Sequence, residues 1–457
     1  MIPEITIRDG LFEELRDYSG VVHLVLVGTK PDLIKQAPLI ISLRNSREKV
    51  YVVHSGQHNT WNLSKGIEEE FGINPDINLN VSGKLYEQQS QIVGRFGIVL
   101  DKMKKFTKKI VPYTYGDTTT ALSAGIASFA HRIGVAHVEA GLRTMTPPRS
   151  VFDILLKNKD IESYFAISQE QDLWKQGSYE PYPEQFDTRA AAPSAGVHLT
   201  PHVLNKEHLI EEGYHKNRII NVGNPVVDAL AWAKSRVKAS TIFEQYPALE
   251  EGNFIRYCIH RRENVTSAHR FKVLFKSMEN LIEEGRNILF ISLGGTEMAL
   301  KTFNLKSKVE NLAKDHKNFV YSPVWPKYVD VIAALDKCSV VASDSGSMQE
   351  ETNTLGIPGV VLRFNTDRPE SIFTGANIIA PPIKAEIVTK IVREVHENDT
   401  LRKEMKSSPK NYGTNVSQKI VEAIKQLENR GSLFHLLEHD YLGYSKEDYW
   451  EKGEAEW

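Results

Sequence analysis

The sequence has few of the features that mark secreted, metal-binding or membrane-spanning proteins. Cysteine occurs twice in 457 residues, as Cys258 and Cys338, which argues against a disulfide framework and a cysteine metal site. No apolar run approaches the roughly 20 residues that a membrane-spanning helix needs. The first residues carry no signal-peptide pattern. These absences favour a cytoplasmic protein without a membrane span.

The charge is almost balanced, with 56 Lys and Arg against 58 Asp and Glu, a net charge of −2. No overall basic field is available for nucleic acid, so an anionic ligand must be held by local charge. Hydrophobic residues make up 41% and charged residues 25%, as in ordinary globular proteins. At roughly 150 residues per domain, the length favours two or three domains.

Short apolar runs alternate with helical patterns along the chain, and the alternation occurs in two series. Continuous apolar strands between helices are typical of parallel sheets covered on both faces. The pattern therefore predicts an α/β protein with two Rossmann-like doubly wound domains facing a central cleft. The predicted strands are 21–27, 50–54, 110–115 and 135–138, then 254–259, 288–292, 319–321, 339–342 and 360–362. The predicted helices are 119–133 with Gly134 as its C-cap, 270–285, 347–355 and 416–429.

The predicted domains follow from the two series. The N-terminal domain takes residues 1–222 and includes an insertion at 149–182, and the C-terminal domain takes residues 223–411. Helix 412–430 is expected to cross back to the N-terminal domain, and 431–457 forms a tail. The insertion and the tail break the strand–helix rhythm, and either is peripheral decoration, an oligomer contact or a lid.

Acidic side chains follow two adjacent predicted strands. Ligands of open parallel sheets bind beyond the carboxyl ends of the strands, where Asp117 and Glu139 stand. A carboxyl group with a raised pKa is a usable acid or base. The structural alternatives are a cap for the helix at Thr119 in the case of Asp117, and an ion pair with Arg143 in the case of Glu139.

Cations follow other strands and can hold an anionic ligand. Lys30 and Lys35 frame the first strand–helix turn, with Pro31 near the helix start, where proline is tolerated. His260 and Arg261 belong to a His-Arg-Arg-Glu loop that can clamp a pyrophosphate through charge-assisted hydrogen bonds. Solvated lysines and a surface ion-pair cluster are the alternatives.

A phosphate cradle is expected between a strand and a helix in the second series. Small residues let the backbone approach a phosphate, and the N–H groups of the first helical turn point at it. The residues are Ser345, Gly346 and Ser347 after Asp344, and Glu351 one turn later can bind ribose hydroxyls. An ordinary N-cap and a solvated helical face are the alternatives.

The joint order of these motifs resembles the non-hydrolysing UDP-N-acetylglucosamine 2-epimerase family, and the likeness is spread over most of residues 21–412. The motifs are Gly28-Thr29-Lys30-Pro31-Asp32, Ser55-Gly56-Gln57-His58, Gly116-Asp117-Thr118-Thr119-Thr120, His137-Val138-Glu139-Ala140-Gly141-Leu142-Arg143, Gly223-Asn224, His260-Arg261-Arg262-Glu263-Asn264, Asp344-Ser345-Gly346-Ser347 and Arg368-Pro369-Glu370.

The resemblance implies a two-domain, GT-B-like fold that binds a UDP-sugar, a homodimer, and a reaction needing no metal or redox cofactor. UDP-N-acetylglucosamine and UDP-N-acetylmannosamine would interconvert by elimination of UDP and its re-addition to a 2-acetamidoglucal. The implied catalytic residues are Asp117, Glu139, Glu184 and His260, with His260 on the departing diphosphate. Ser345, Gly346, Ser347 and Glu351 would bind UDP, and Lys30 would line the nucleotide site.

Three departures from the family pattern leave alternatives open. The motif around Glu184 is one residue longer than in the family, which makes Asp187 a possible substitute for Glu184. Lys30 replaces a family arginine. The segment that begins at Ser292 lacks a family histidine. The alternatives are a hydrolysing 2-epimerase, a 2-epimerase of another UDP-2-acetamido sugar, and a non-catalytic UDP-sugar-binding regulatory protein.

Overall fold

A computed structural model of the chain describes residues 5–57, 65–157 and 160–434. The chain forms two compact units, the first from Met1–Leu142, Pro183–Ala229 and Tyr412–Trp457, the second from Arg143–Tyr182 and Leu230–Asn411. His58 of the second-strand motif and most of the predicted tail 431–457 lie outside the described residues.

The strands, numbered in chain order, come from apolar runs that are mostly buried along their whole length. They are β1 Thr6–Ile7, β2 Val22–Val27, β3 Lys49–His54, β4 Ile77–Asn78, β5 Ile110–Tyr115, β6 Val135–Val138, β7 Met145–Thr146, β8 Lys175–Gln176, β9 Ala195–Thr200, β10 Ile219–Asn221, β11 Phe254–Cys258, β12 Ile288–Ser292, β13 Phe319–Pro323, β14 Cys338–Ser343, β15 Gly359–Val361 and β16 Asn377–Ile379.

The helices fill the connections between the strands. They are α1 Lys30–Asn45, α2 Gly66–Phe71, α3 Leu85–Met103, α4 Thr119–Ala130, α5 Arg149–Lys157, α6 Ile161–Ser168, α7 Glu184–Ala191, α8 Val203–Glu211, α9 Val226–Lys234, α10 Ile242–Gln245, α11 Arg262–Val265, α12 Ala268–Glu283, α13 Gly294–Thr302, α14 Lys306–Asp315, α15 Tyr328–Lys337, α16 Gly346–Leu355, α17 Pro369–Phe373, α18 Ala385–Glu397, α19 Asp399–Ser407 and α20 Val416–Asn429.

Each unit contains one large sheet with the strand order of a doubly wound fold. The described strands of the first unit run β1-β4-β3-β2-β5-β6-β9-β10, and those of the second run β13-β12-β11-β14-β15-β16. Apart from the antiparallel pair of β1 and β4, these neighbours are parallel. The order reverses between β2 and β5 in one unit and between β11 and β14 in the other, which are the points where such sheets bind ligands. The predicted α/β class with two Rossmann-like domains is confirmed.

The observed division of the chain corrects two predicted boundaries. The insertion 149–182 was assigned to the N-terminal domain, but Arg143–Tyr182 belongs to the second unit. The unit boundary falls at Ala229–Leu230 rather than at 222–223, because α9 begins within the first unit. Farther along the chain, α20 packs on α1 of the first unit. Lys425 of α20 forms an ion pair with Glu48, which lies just after α1.

The start of α1 agrees with its local sequence signals, whereas the end of α4 does not. At the start of α1, Thr29 accepts a hydrogen bond from the Asp32 amide while the Asp32 side chain accepts one from the Thr29 amide. Pro31 lies in the first turn of this helix, as predicted. Gly134 is not a C-cap, because α4 already ends at Ala130; a Cβ on Gly134 would lie 2.9 Å from the Gly196 Cα.

Among the helices of the described residues, none combines the length and the apolar character that crossing a bilayer requires. Cys258 and Cys338 are both buried free thiols.

The turn after β10 depends on a glycine, which generates a stability prediction. Gly223 has φ +98, and an added Cβ would meet the Tyr412 carbonyl oxygen at 2.4 Å and a Val416 methyl group at 2.7 Å. Gly213 has a similar φ of +93, but an added Cβ there would meet no atom within 4 Å. Gly213→Ala is expected to cost about 1–2 kcal/mol through backbone strain alone.

Gly223→Ala is expected to lower the free energy of unfolding further, since it adds a steric clash to the same strain. Urea denaturation of the two variants and the wild type provides the measurement. Equal losses for the two alanine variants would contradict the close approach at Gly223.

Candidate functional site

In the first unit, the loop between β2 and α1 lies at the point where the strand order reverses. The amides of Gly28 and Thr29 donate to the Asp32 carboxylate at 3.2 and 3.1 Å. A Cβ on Gly28 would lie 2.0 Å from the Thr120 hydroxyl oxygen, so only glycine lets α4 approach this closely. The loop brings Lys30 and Lys35 to this edge of the sheet on α1.

Glu139 is the centre of a buried polar network after β6. Its Oε1 atom accepts hydrogen bonds from the Lys35 ammonium and the Asn224 amide, both at 2.8 Å. Asn224 in turn accepts from the Tyr115 hydroxyl at 2.9 Å, and the Lys35 ammonium lies 5.3 Å from the centre of the Tyr115 ring. Glu139 is 1% exposed, and its backbone has a left-handed φ of +60. Such strain in a residue other than glycine persists only where the surroundings hold it, and it is concentrated at functional sites.

Two observations bear on interpretations that were open from sequence. Glu139 forms an ion pair with Lys35, 104 residues away in the chain. Lys30 and Lys35 are buried, at 9% and 2% exposure, so the solvated-lysine alternative is wrong.

Asp117 lies directly after β5, and its carboxyl group is half-buried. The helix cap that competed with a chemical role belongs to another residue, because Thr118 caps α4 by accepting a hydrogen bond from the Ala121 amide. Asp117 is close enough to Asp32 and Asp187 to act on both electrostatically. Asp32, Asp117 and Asp187 therefore lie near one another, close to the β2–β5 switch point.

Asp187 lies on α7 and is 1% exposed, while Glu184 is the half-buried first residue of the same helix. The Thr119 hydroxyl donates to Asp187 at 3.0 Å. Burial raises the pKa of Asp187 to about 7; the Thr119 hydrogen bond acts in the opposite direction, and the charges of Asp117 and Glu184 add to the increase. Asp187 therefore holds a proton that can be exchanged near neutral pH.

Asp32 has a similar character. Burial raises its pKa to about 7, against the hydrogen bonds from Thr29, and the charge of Asp117 contributes to the increase. Asp32 is not recognisable from sequence as an ionisable group of this site, because its place in the first helical turn is that of an ordinary capping residue.

In the second unit, His260 follows β11 and Asp344 follows β14, again at the switch point. The His260 Nδ1 atom lies 3.0 Å from Asp344, whose carboxylate also accepts hydrogen bonds from the His260 and Arg261 amides at 3.0 Å. Burial opposes protonation of His260, but the charges and hydrogen bonds of Asp344 and Cys258 together outweigh it and raise the pKa of His260 to about 10. His260 is therefore a cation at neutral pH, and its side chain is 22% exposed.

The N-terminus of α16 lies among arginine side chains. A Cβ on Gly346 would lie 3.2 Å from the Arg261 and Arg368 guanidinium groups and 3.1 Å from the Asp367 carboxylate. Ser345 is the N-cap residue of α16, as the N-cap alternative expects, and makes no side-chain capping bond. Ser347 is half-buried in the first turn. Positive side chains and the N–H groups of a helix start are both suited to hold an anion.

The charged side chains around the start of α16 form ion pairs with one another. Asp367 is fully buried between Arg363, at 2.7 Å, and Arg368, and Arg368 also donates to Glu350 at 2.9 Å. Although burial acts in the opposite direction, the surrounding arginines hold the pKa of Asp367 well below its usual range.

Glu351 is buried and accepts a hydrogen bond from the Tyr328 hydroxyl at 3.1 Å. Glu350 and Glu351 do not form a solvated helical face. Sequence reasoning gave no separate role to Asn224, Arg363, Asp367 or Arg368. Of these, only Asn224 and Arg368 lay in motifs that had been noted.

Two Rossmann-like units with charged groups at their switch points define a doubly wound α/β protein of the class that binds ligands at those points. The sequence profile of the UDP-N-acetylglucosamine 2-epimerase family matches residues 42–153 and 176–425. The chain belongs to this family of epimerases.

Individual relatives agree with the profile. A UDP-N-acetylglucosamine 2-epimerase of Methanocaldococcus jannaschii is 28% identical over 375 residues, covering 80% of this chain and 90% of the relative. The Bacillus subtilis enzyme of the same name is 27% identical, covering 93% and 96%.

Solved structures extend the likeness to the fold. The M. jannaschii enzyme in complex with UDP-GlcNAc and UDP has a TM-score of 0.73 at 26% identity, covering 89% of this chain and all of that one. The Neisseria meningitidis enzyme bound to UDP-GlcNAc has a TM-score of 0.72 at 25% identity, with the same coverage.

The raised pKa of Asp187 predicts a pH-dependent stability. The folded protein holds this proton up to about pH 7, whereas an unfolded aspartate loses it near pH 4. Stability contributed by the protonated form is therefore present at low pH and is lost as pH rises through about 7. Asp187→Asn should be more stable than the wild type at pH 8. Its free energy of unfolding relative to that of the wild type should rise by about 2 kcal/mol between pH 5 and pH 8.

Urea denaturation of both proteins at the two pH values measures this difference. Asp17→Asn, at an exposed aspartate of the same unit, is the control and should leave the pH profile unchanged. A difference between Asp187→Asn and the wild type that does not vary with pH would contradict the buried proton.

Proposed function

We propose that this protein is a UDP-N-acetylglucosamine 2-epimerase that inverts C2 of the sugar and gives UDP-N-acetylmannosamine. The observation that carries the proposal is the group of buried and half-buried carboxyl groups at the strand ends of the first unit, within a chain that belongs to the epimerase family. Inversion at carbon needs a proton removed and a proton returned, and carboxyl groups can do both.

The second unit would hold the UDP part of the substrate. The start of α16, with Ser345, Gly346 and Ser347, offers backbone N–H groups to the diphosphate, and Arg261 adds a charge beside them. Glu351 is the proposed ribose ligand. In the M. jannaschii relative the bound ligands are UDP-GlcNAc and UDP, which supports this choice of nucleotide.

His260 would assist departure of the nucleotide. When the C1–O bond breaks, its electron pair moves to the diphosphate, and negative charge grows on the bridging oxygen. A histidine held as a cation by Asp344 can stabilise that charge through a fixed electrostatic interaction. The pairing with Asp344 also fixes the orientation of the imidazole.

The carbon chemistry would fall to the first unit. A carboxylate removes the C2 proton, and the C2–H electron pair forms the C1=C2 double bond of 2-acetamidoglucal as UDP leaves. In the return step, UDP adds to C1 and a carboxylic acid delivers a proton to the opposite face of C2. We assign these proton transfers to Asp117, Glu139 and Glu184, with Lys30 and Lys35 supplying positive charge beside them.

A second candidate, 2-epimerisation of another UDP-2-acetamido sugar, is favoured by the altered motif at Glu184. The altered motif ends at Arg189 and contains Asp187. Asp187 is buried and accepts a hydrogen bond from the Thr119 hydroxyl. Such a change beside the reacting sugar would alter which sugar fits. The homodimer, the cytoplasmic location and the absence of a cofactor stay predictions.

The reaction is tested by incubating the protein with UDP-N-acetylglucosamine in deuterium oxide and following C2 by NMR. The expected result is deuterium at C2 together with the manno epimer. Retained C2–H with no epimer at saturating substrate contradicts the proposal, and free sugar with UDP released at the turnover rate indicates a hydrolase instead. A panel of UDP-2-acetamido sugars in the same assay identifies the substrate of the second candidate.

Substitution of Asp117 tests the assignment of the proton-transfer groups. Asp117→Asn should lower the rate of C2 exchange by about two orders of magnitude or more, because it removes an acid–base group. Asp17→Asn is the matched control and should keep the wild-type rate. If Glu184→Gln is mild while Asp187→Asn is severe, Asp187 takes the role assigned to Glu184.

A further inference from the structure

The segment Arg143–Tyr182 contains residues that the family profile does not match, namely 154–175. It packs within the second unit through buried aromatic side chains. The Tyr164 hydroxyl donates to the Ile379 carbonyl at 2.9 Å, and the Trp174 ring lies edge-on to Phe373 with centroids 5.5 Å apart. These contacts mount the insertion firmly on the sheet of the second unit.

The same segment holds one loop of that unit, residues 363–368, at three places. Backbone hydrogen bonds of 2.9 and 3.1 Å join Met145 and Thr366 in both directions. The Phe152 ring meets the Phe364 ring edge-on, with centroids 6.2 Å apart. Asn365 donates to Glu180 at 3.1 Å and to the Ser178 hydroxyl at 3.3 Å.

The loop leads directly to the anion-binding start of α16. The Asn365 side-chain oxygen accepts from Arg363 at 3.0 Å, and Arg363 donates to Asp367 at 2.7 Å. Asp367 pairs with Arg368, and both groups lie around Gly346. A chain of hydrogen bonds therefore runs from Glu180 to the arginine cluster.

Glu180 is suited to begin this chain because each of its oxygens has a partner. One oxygen accepts from Asn365, and the other forms an ion pair with Arg270 at 2.9 Å. Arg270 also covers the Phe364 ring, 4.9 Å from its centre. Loss of Glu180 would leave the Asn365 amide with Ser178 as its acceptor and make the orientation of Arg363 less restricted, since networks of this kind act cooperatively.

We propose that Glu180 is a positioning residue for the diphosphate of the nucleotide, acting through Asn365, Arg363 and Asp367, and that its segment, Arg143–Tyr182, supports the loop 363–368. The proposal rests on the proposed function, because it takes the start of α16 as the diphosphate site. It gives the insertion a defined task in ligand binding.

Calorimetric titration with UDP and with uridine separates this role from a general loss of structure. Glu180→Ala should weaken UDP binding about three- to tenfold, the range for a partly exposed charged hydrogen bond. Uridine lacks the diphosphate, so its affinity should change less than twofold. Glu162→Ala, at an exposed glutamate of the same insertion, should bind both ligands like the wild type. Glu180→Gln keeps an acceptor for Asn365 and should lose less than Glu180→Ala.

A double-mutant cycle with Asn365→Ala completes the test. Because both residues act in one chain of contacts, the double variant should bind UDP about as weakly as Asn365→Ala alone. Equal weakening of UDP and uridine by Glu180→Ala, no weakening of UDP, or fully additive losses would each overturn the proposal. A wild-type protein that binds neither UDP nor a UDP-sugar would instead overturn the proposed function.

Discussion

The ion pair between Lys35 and Glu139 is the interaction on which the first unit's site depends. Both side chains are almost fully removed from water, and their charged atoms lie 2.8 Å apart. Burying either charge alone costs several kcal/mol, whereas a hydrogen-bonded pair recovers most of that cost. The Asn224 amide donates a hydrogen bond to the same Glu139 oxygen, and the Tyr115 hydroxyl donates one to Asn224. The carboxylate is therefore held in one orientation.

The same constraint organises the second unit with different residues. Asp344 holds His260 as a cation, and Asp367 is buried between two arginines at the start of α16. Lys35 lies on the helix that follows β2, and His260 and Asp344 follow β11 and β14, so these paired charges lie next to strands where the order of a parallel sheet reverses. The sheets bring together residues that are far apart in the chain, while opposite charge makes their burial tolerable. Fixed charges of this kind need no reorganisation when negative charge develops on a leaving group.

Sequence reasoning predicted the parts of the fold that local patterns determine. The predicted strands 110–115, 135–138 and 288–292 coincide with β5, β6 and β12, because continuous buried apolar runs have clear ends. The 19-residue helix α3 and the strand β9 were missed. The helix carries many polar residues, and the strand Ala-Gly-Val-His-Leu-Thr contains a glycine and a histidine.

The candidate site was predicted in its residue types but not in its partners. Strand ends pointed to Asp117, Glu139, His260 and Ser345, since the topology of a parallel sheet decides where such residues lie. The pairing of Glu139 with Lys35 depends on tertiary contacts and on a left-handed backbone at Glu139 that no local signal requires. For the same reason, the attachment of Arg143–Tyr182 to the second unit was assigned wrongly from sequence.

The most direct test of this account is a double-mutant cycle on the buried pair, with unfolding measured by urea denaturation. Lys35→Met and Glu139→Gln should each lose about 3–5 kcal/mol, because each leaves a buried charge without its partner. The double variant should lose clearly less than the sum of the two. Losses that simply add would contradict the claim that these two charges depend on each other for their burial.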